Sequence, residues 1–166
     1  MINIKLWDSD LTDKNDKLVR LLKKSFNVDK TYELNLVKKK TYIISLLANN
    51  TLIGTISLIP NNDLINYLKI KGLCIESLSG IYSFRADKGI YIYNLAVIKD
   101  FRGKGIAQKL LDIAMYVAKT KEFNYCHTHC ENDISEYIFR KRGYNLEKSF
   151  QNEKKQTVKL MTFWLN

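Results

Sequence analysis

One proline, seven glycines and three cysteines are all that this 166-residue sequence holds of the residues that break, bend or staple a chain. So little proline and glycine excludes a collagen-like repeat and a Pro- or Gly-rich linker. Three cysteines (Cys74, Cys126 and Cys130) are odd in number and match no zinc spacing, so neither a disulfide framework nor a metal site is expected. No apolar run approaches the roughly 20 residues that span a bilayer. The N-terminal stretch Met1–Trp7 lacks the basic and then apolar layout of a secretory signal. These absences point to a soluble protein in a reduced, cytoplasmic setting, with no membrane among its partners.

What is present is ordinary for one globular domain, taken as residues 1–166: 46% hydrophobic and 27% charged residues. The charge is lopsided, with 27 Lys and Arg against 17 Asp and Glu, a formal excess of +10. Such an excess suits nucleic acid or a polyphosphate ligand when it is clustered. Here it is scattered over Lys23-Lys24, Lys38–Lys40, Arg140–Arg142 and Lys154-Lys155, outside any nucleic-acid motif. A solvated basic surface explains it as well as a binding face does, and nucleic acid is not expected as a partner.

The pattern of apolar residues predicts a short strand over 2–7 and two helical stretches between about 13 and 40. Two strands, Thr41–Ala48 and Thr51–Ile59, meet at Asn49-Asn50, whose tolerance of positive φ suits a hairpin, and Pro60 closes the second. Beyond a possible helix at Asp63–Ile70 and a turn at Asp87-Lys88-Gly89, Ile90–Ile98 is nearly unbroken in its apolar and aromatic character, as in a central strand covered on both faces. A helix over Ile106–Lys119 follows, with Ile106, Leu110, Ile113, Ala114 and Val117 in its apolar stripe. A strand at Phe123–Cys130, a helix at Asp133–Arg142 ended by Gly143, and strands near 144–150 and 157–165 complete a mixed α/β order.

The junction between the central strand and the long helix carries the chemistry: Leu95-Ala96-Val97-Ile98-Lys99-Asp100-Phe101-Arg102-Gly103-Lys104-Gly105-Ile106-Ala107. A helix N-terminus offers backbone N–H groups without intrahelical partners and a partial positive charge. Gly103, Gly105 and Ala107 let a phosphate come close to that backbone, and Arg102 and Lys104 add full charges. A diphosphate suits such a loop. The Gly-Lys-Ser/Thr ending of a Walker loop is missing, and Gln108 stands where a dinucleotide fingerprint needs its third glycine. A merely tight strand-to-helix turn would also use these glycines, but it would not need the flanking cations.

Arg102-Gly103-Lys104-Gly105-Ile106-Ala107 resembles the Q/R-x-x-G-x-G/A signature of the GCN5-related N-acetyltransferase (GNAT) superfamily. Leu95-Ala96-Val97 precedes it and Leu110-Leu111 follows it as in that family. Asn132, Ser135, Phe139, Gly143 and Tyr144 fall at the spacing of a second family segment. The resemblance is strong over 89–145 and extends to the rest by element order. It implies a mixed, mostly antiparallel central sheet of six to seven strands, splayed at a cofactor notch and flanked by about four helices. It also implies that acetyl-CoA is the cosubstrate. The implied cofactor-binding residues are Leu95, Ala96 and Val97 along the pantetheine arm, Arg102, Gly103, Lys104, Gly105, Ile106 and Ala107 at the diphosphate, and Asn132 and Phe139 on the later helix. A backbone N–H near Val97 would polarise the acetyl carbonyl.

The family's reaction is direct attack of a neutral amine on the thioester. An alkyl amine, with a pKa of about 10.4, must first lose a proton. The family's strand position for a base holds Tyr93, and its position for a tyrosine acid holds Phe139, which has no proton to give. Tyr91 shares a strand face with Tyr93, and His127, His129 and Glu131 lie on or beside the next strand. Tyr93 and His129 are the candidate catalytic residues, each with a structural role as the plainer alternative. Glu33, Glu76 and Asp87 could draw a cationic amine. An N-acetyltransferase of unidentified primary-amine acceptor is therefore expected, as monomer or homodimer. The competing reading is a non-catalytic acetyl-CoA-binding module or sensor.

Overall fold

The computed structural model describes residues 2–8, 42–64, 88–151 and 155–165. The helical stretches expected between 13 and 40, most of Asp63–Ile70, and Glu33, Glu76, Asp87 and Cys74 lie outside these residues. Seven strands, β1 (Ile2–Asp8), β2 (Tyr42–Ala48), β3 (Thr51–Pro60), β4 (Gly89–Val97), β5 (Tyr125–Cys130), β6 (Asn145–Gln151) and β7 (Thr157–Trp164), are hydrogen-bonded in the order β1-β2-β3-β4-β5-β7-β6. Two compact groups of residues share them, Met1–Ile59 with Ile92–Ala114 and Pro60–Tyr91 with Met115–Asn166.

In the first group β1 (Ile2–Asp8) runs antiparallel to β2 (Tyr42–Ala48), from Ile2↔Ala48 to Asp8↔Tyr42. β2 turns back into β3 (Thr51–Pro60), ending at Pro60 as expected. Asn49 and Asn50 form the turn at φ 47° and 62°, the paired left-handed residues that a two-residue hairpin requires. Ile43, Ile44, Leu46, Ile53, Ile56 and Leu58 are fully buried, so both faces of this hairpin are covered. Thr55 keeps its hydroxyl in that core by donating to the Ile44 carbonyl at 3.1 Å.

Strand β4 (Gly89–Val97) passes from the second group into the first at Ile92. A 3-10 turn at Lys99–Phe101 leads to helix α1 (Ile106–Thr120), whose Ile106, Leu110, Leu111, Ala114, Val117 and Ala118 are buried. The stripe is the one expected from Ile106, Leu110, Ala114 and Val117, widened by Leu111 and extended to Ala118, with Ile113 half-buried.

In the second group the start of β4 pairs in parallel with β5 (Tyr125–Cys130), from Gly89↔Tyr125 to Tyr91↔His127. Gly89 opens the strand directly after Lys88, which stands in a 3-10 turn. Glycine is required there on steric grounds, because a Cβ would lie 2.3 Å from Asn61 Nδ2 and 2.4 Å from the Tyr125 ring. β5 pairs antiparallel with β7 (Thr157–Trp164), and β6 (Asn145–Gln151) pairs antiparallel with β7 at the edge. Helix α2 (Asp133–Arg140) stops short of Arg142, because the Arg142 and Gly143 N–H groups turn back to the Phe139 and Arg140 carbonyls at 2.9 Å each. Gly143 then leaves the helix at φ 84°.

Candidate functional site

The junction picked out by the sequence is built on β3, β4 and the first turns of α1. Ile98 N–H donates to the Ile53 carbonyl at 3.0 Å, tying the end of β4 to β3. Above that tie, a Cβ on Gly54 would lie 3.0 Å from Leu110, 3.2 Å from Ile106 and 3.2 Å from the Ala96 carbonyl. Gly54 therefore lets the start of α1 seat directly on the strands. The sequence offered a signal for it, a lone glycine inside an apolar strand, which marks a close approach.

Between strand and helix the chain coils tightly. Phe101 and Arg102 N–H groups donate to the Ile98 and Lys99 carbonyls at 3.0 and 3.1 Å. Gly103 and Gly105 follow at φ 73° and 74°, conformations for which glycine carries no steric penalty. A Cβ at either position would meet nothing within 4 Å among the described residues, which leave the outer side of this backbone open. Lys109 N–H donates to the Gly105 carbonyl at 3.0 Å and begins the helical ladder. The N–H groups of residues 106–108 precede the first intrahelical bond of α1 and have no partner within the helix. Backbone N–H groups at a helix N-terminus are suited to an anion.

Arg102 folds back, its Nε donating to the Val97 carbonyl at 3.0 Å, and Lys104 Nζ lies 5.3 Å from the centre of the Phe101 ring. Both residues remain exposed. Val97 and Ala96 are buried and Leu95 is half-buried.

One residue of β4 escaped the sequence reading. Asn94 sits mid-strand at φ 53°, is 7% exposed, and its Nδ2 has no hydrogen-bond partner among the described residues. Asparagine is among the few non-glycine residues that enter this conformation readily, which was the only available hint. Its neighbour Tyr93, a candidate for proton transfer, is also buried at 9% exposure.

The second group holds a buried polar cluster. His127 and His129 point to the same side of β5, as strand alternation requires, and flank Tyr91 with ring centroids 5.2 and 5.6 Å away. The Tyr91 hydroxyl lies 3.3 Å from His129 Nδ1. His127 Nε2 lies 2.6 Å from Asn61 Oδ1, and Asn61 Nδ2 donates to the Tyr125 hydroxyl at 3.0 Å. Among the described residues His127 Nδ1 and His129 Nε2 have no partner. Burial, with a smaller contribution from the His129 charge, pushes His127 down to about 3; burial alone takes His129 down to about 4. Both rings are neutral at physiological pH and weakened as bases.

On α2, Asn132 caps the helix, its Oδ1 accepting from Ser135 N–H at 2.9 Å. Phe139 is 3% exposed and packs edge-on against Tyr144 with centroids 5.0 Å apart, whereas Tyr137 is 62% exposed on the other side of the helix. The thiols of Cys126 and Cys130 are pushed up by burial, to about 12 and about 11. Neither is a thiolate at neutral pH, so neither is a ready nucleophile. Among the described residues no group of three His, Cys, Asp or Glu could hold a metal ion, and no helix is long and apolar enough to cross a membrane.

The acetyltransferase (GNAT) family model matches residues 7–144. No curated protein matches the chain in sequence. Solved structures that resemble it include a GNAT family acetyltransferase from Elizabethkingia anophelis with acetyl-CoA bound, 18% identical over 99% of this chain and 98% of that one, with a TM-score of 0.69. The IAA acetyltransferase from Bacillus cereus is 16% identical over 99% and 100% of the two chains, with a TM-score of 0.65. The ribosomal-protein-S18-alanine N-acetyltransferase from Escherichia coli is 9% identical over 100% and 95%, with a TM-score of 0.71.

Proposed function

This chain belongs to the GNAT family of acetyltransferases, and on that premise we propose that it transfers the acetyl group of acetyl-CoA to a primary amine by direct attack, with its 166 residues acting as one cytoplasmic domain. The observation that carries the reading is the open, left-handed backbone at Gly103 and Gly105 ahead of α1. Bound there, acetyl-CoA supplies an activated thioester. The chain's own part begins with the backbone amides of Arg102, Gly103, Lys104, Gly105, Ile106 and Ala107, which face the diphosphate. Leu95, Ala96 and Val97 align the pantetheine arm, and Asn132 and Phe139 complete the cofactor set as the family resemblance carries it. Asn132 keeps Nδ2 for that purpose, since its Oδ1 is committed to the helix cap.

Tyr93 and His129 are assigned to the amine proton. His129 is neutral, as an acceptor must be, but burial makes it a poor match for an ordinary alkyl ammonium. It can deprotonate the amine only where dry surroundings lower the amine's pKa as well. Phe139 gives no proton to the departing thiolate, and a thiol that ionises near pH 8.5 leaves acceptably without one.

The test is calorimetric titration with acetyl-CoA, using dephospho-CoA and ATP as controls, followed by free-thiol release with a panel of amines. Binding with turnover supports the enzyme, and no binding by the folded protein removes it. A second reading, a non-catalytic acetyl-CoA-binding module, is favoured by Phe139 and by the weakened histidines. It predicts binding without thiol release from any amine.

A further inference from the structure

Asn94 combines two unfavourable features in one side chain. Its backbone is left-handed in the middle of β4, at φ 53°, a conformation foreign to a regular strand even though asparagine enters it more readily than most non-glycine residues. Its amide is buried, with the residue 7% exposed, and Nδ2 finds no acceptor among the described residues. Burying an N–H without an acceptor is unfavourable, and such groups are scarce in folded proteins. Residues in such sparsely populated conformations gather at active sites and ligand clamps. Asn94 immediately precedes Leu95–Val97, the stretch assigned above to the pantetheine arm. The group left over is a pure donor, so what it lacks is an acceptor. Toward its reacting end, the acetyl-pantetheine arm presents carbonyl oxygens and little else that accepts.

We propose that Asn94 is a further ligand-touching residue of the transfer site, its Nδ2 donating a hydrogen bond to a carbonyl oxygen of the bound acetyl-pantetheine arm. This rests on the acetyl-CoA reading of the previous subsection. The left-handed backbone sets the amide in place, and the ligand supplies the partner that the protein does not.

Two substitutions separate the amide from the backbone. Asn94→Gly keeps the left-handed conformation at no steric cost and removes the donor; Asn94→Asp keeps the size and the turn tolerance but has no N–H when ionised. Calorimetry with acetyl-CoA and with CoA, beside thermal unfolding without ligand, reads the result. The expected outcome is about tenfold weaker acetyl-CoA binding, the size of one hydrogen bond, with the unliganded Tm unchanged or raised. Equal losses with CoA place the bond on a pantetheine amide, and a loss confined to acetyl-CoA places it on the thioester. In the wild type, the Asn94 side-chain amide resonances should shift and gain exchange protection when acetyl-CoA is added. Wild-type affinity in both variants, or resonances that do not move, overturns the assignment and leaves the proposed function standing. Absence of acetyl-CoA binding by the wild type overturns both.

Discussion

Acid should unfold this protein through its only two histidines. His127, held at about 3, and His129, held at about 4, both have an ordinary unfolded value of 6.5. Each group therefore gains a proton on unfolding at any pH between its two values. The stability they support is fully present above pH 6.5 and is lost as pH falls below it. One such group takes about 1.4 kcal/mol per pH unit, and two together about 2.7. Integrated from about pH 8 to about pH 5, the pair removes about 4 kcal/mol, a large share of the roughly 5–15 kcal/mol that holds a domain together. No further histidine confuses that window, and ordinary carboxylates titrate below it. Urea unfolding at several pH values and constant ionic strength gives the slope directly. His127→Gln removes one titrating ring while keeping an amide that can bond to Asn61, and should halve the slope to about 1.4 kcal/mol per unit. A wild-type loss below about 1 kcal/mol between pH 8 and 5, or an unchanged slope in His127→Gln, would refute the reasoning.

Three further substitutions examine other parts of the molecule. Gly105→Asp sets a side chain and a negative charge where a Cβ meets nothing within 4 Å. It should abolish acetyl-CoA binding in calorimetry while costing the unliganded fold only about 1–2 kcal/mol of left-handed strain. Gly89→Ala drives a methyl into Asn61 and Tyr125, and the overpacking should lower stability by about 1–3 kcal/mol in urea melts; an unchanged midpoint would mean that the cluster yields easily. Tyr93→Phe should cut kcat about 10- to 100-fold at unchanged KM for acetyl-CoA if its hydroxyl passes the amine proton, and full turnover would assign Tyr93 to packing alone.

Legibility followed the range of the forces involved. The Asn49-Asn50 turn, the stripe on α1 and the glycines at 103 and 105 are local effects of dihedral tolerance and helical spacing, and each was readable from neighbours in sequence. The crowding that demands glycine at Gly89 was not readable, because it comes from Tyr125 and Asn61, which are distant in sequence and close in space. The charge of Arg102 is visible in the sequence, whereas the Val97 carbonyl that takes its Nε is not. The weakness of the two histidines as bases depends on how deeply β5 is buried, and alternation along a strand fixes direction but not depth. Asn94 was passed over because an asparagine in a strand announces neither its dihedral nor the missing partner of its amide.

The buried thiols of Cys126 and Cys130 give the protein an internal clock. A disulfide reagent needs a thiolate and room to attack, and at these two positions it has neither while β5 stays packed. Their labelling is therefore gated by local opening of the strand that also carries both histidines, so labelling rates measure how often that strand breathes. Mild acid should accelerate the clock well before any spectroscopic signal of unfolding appears.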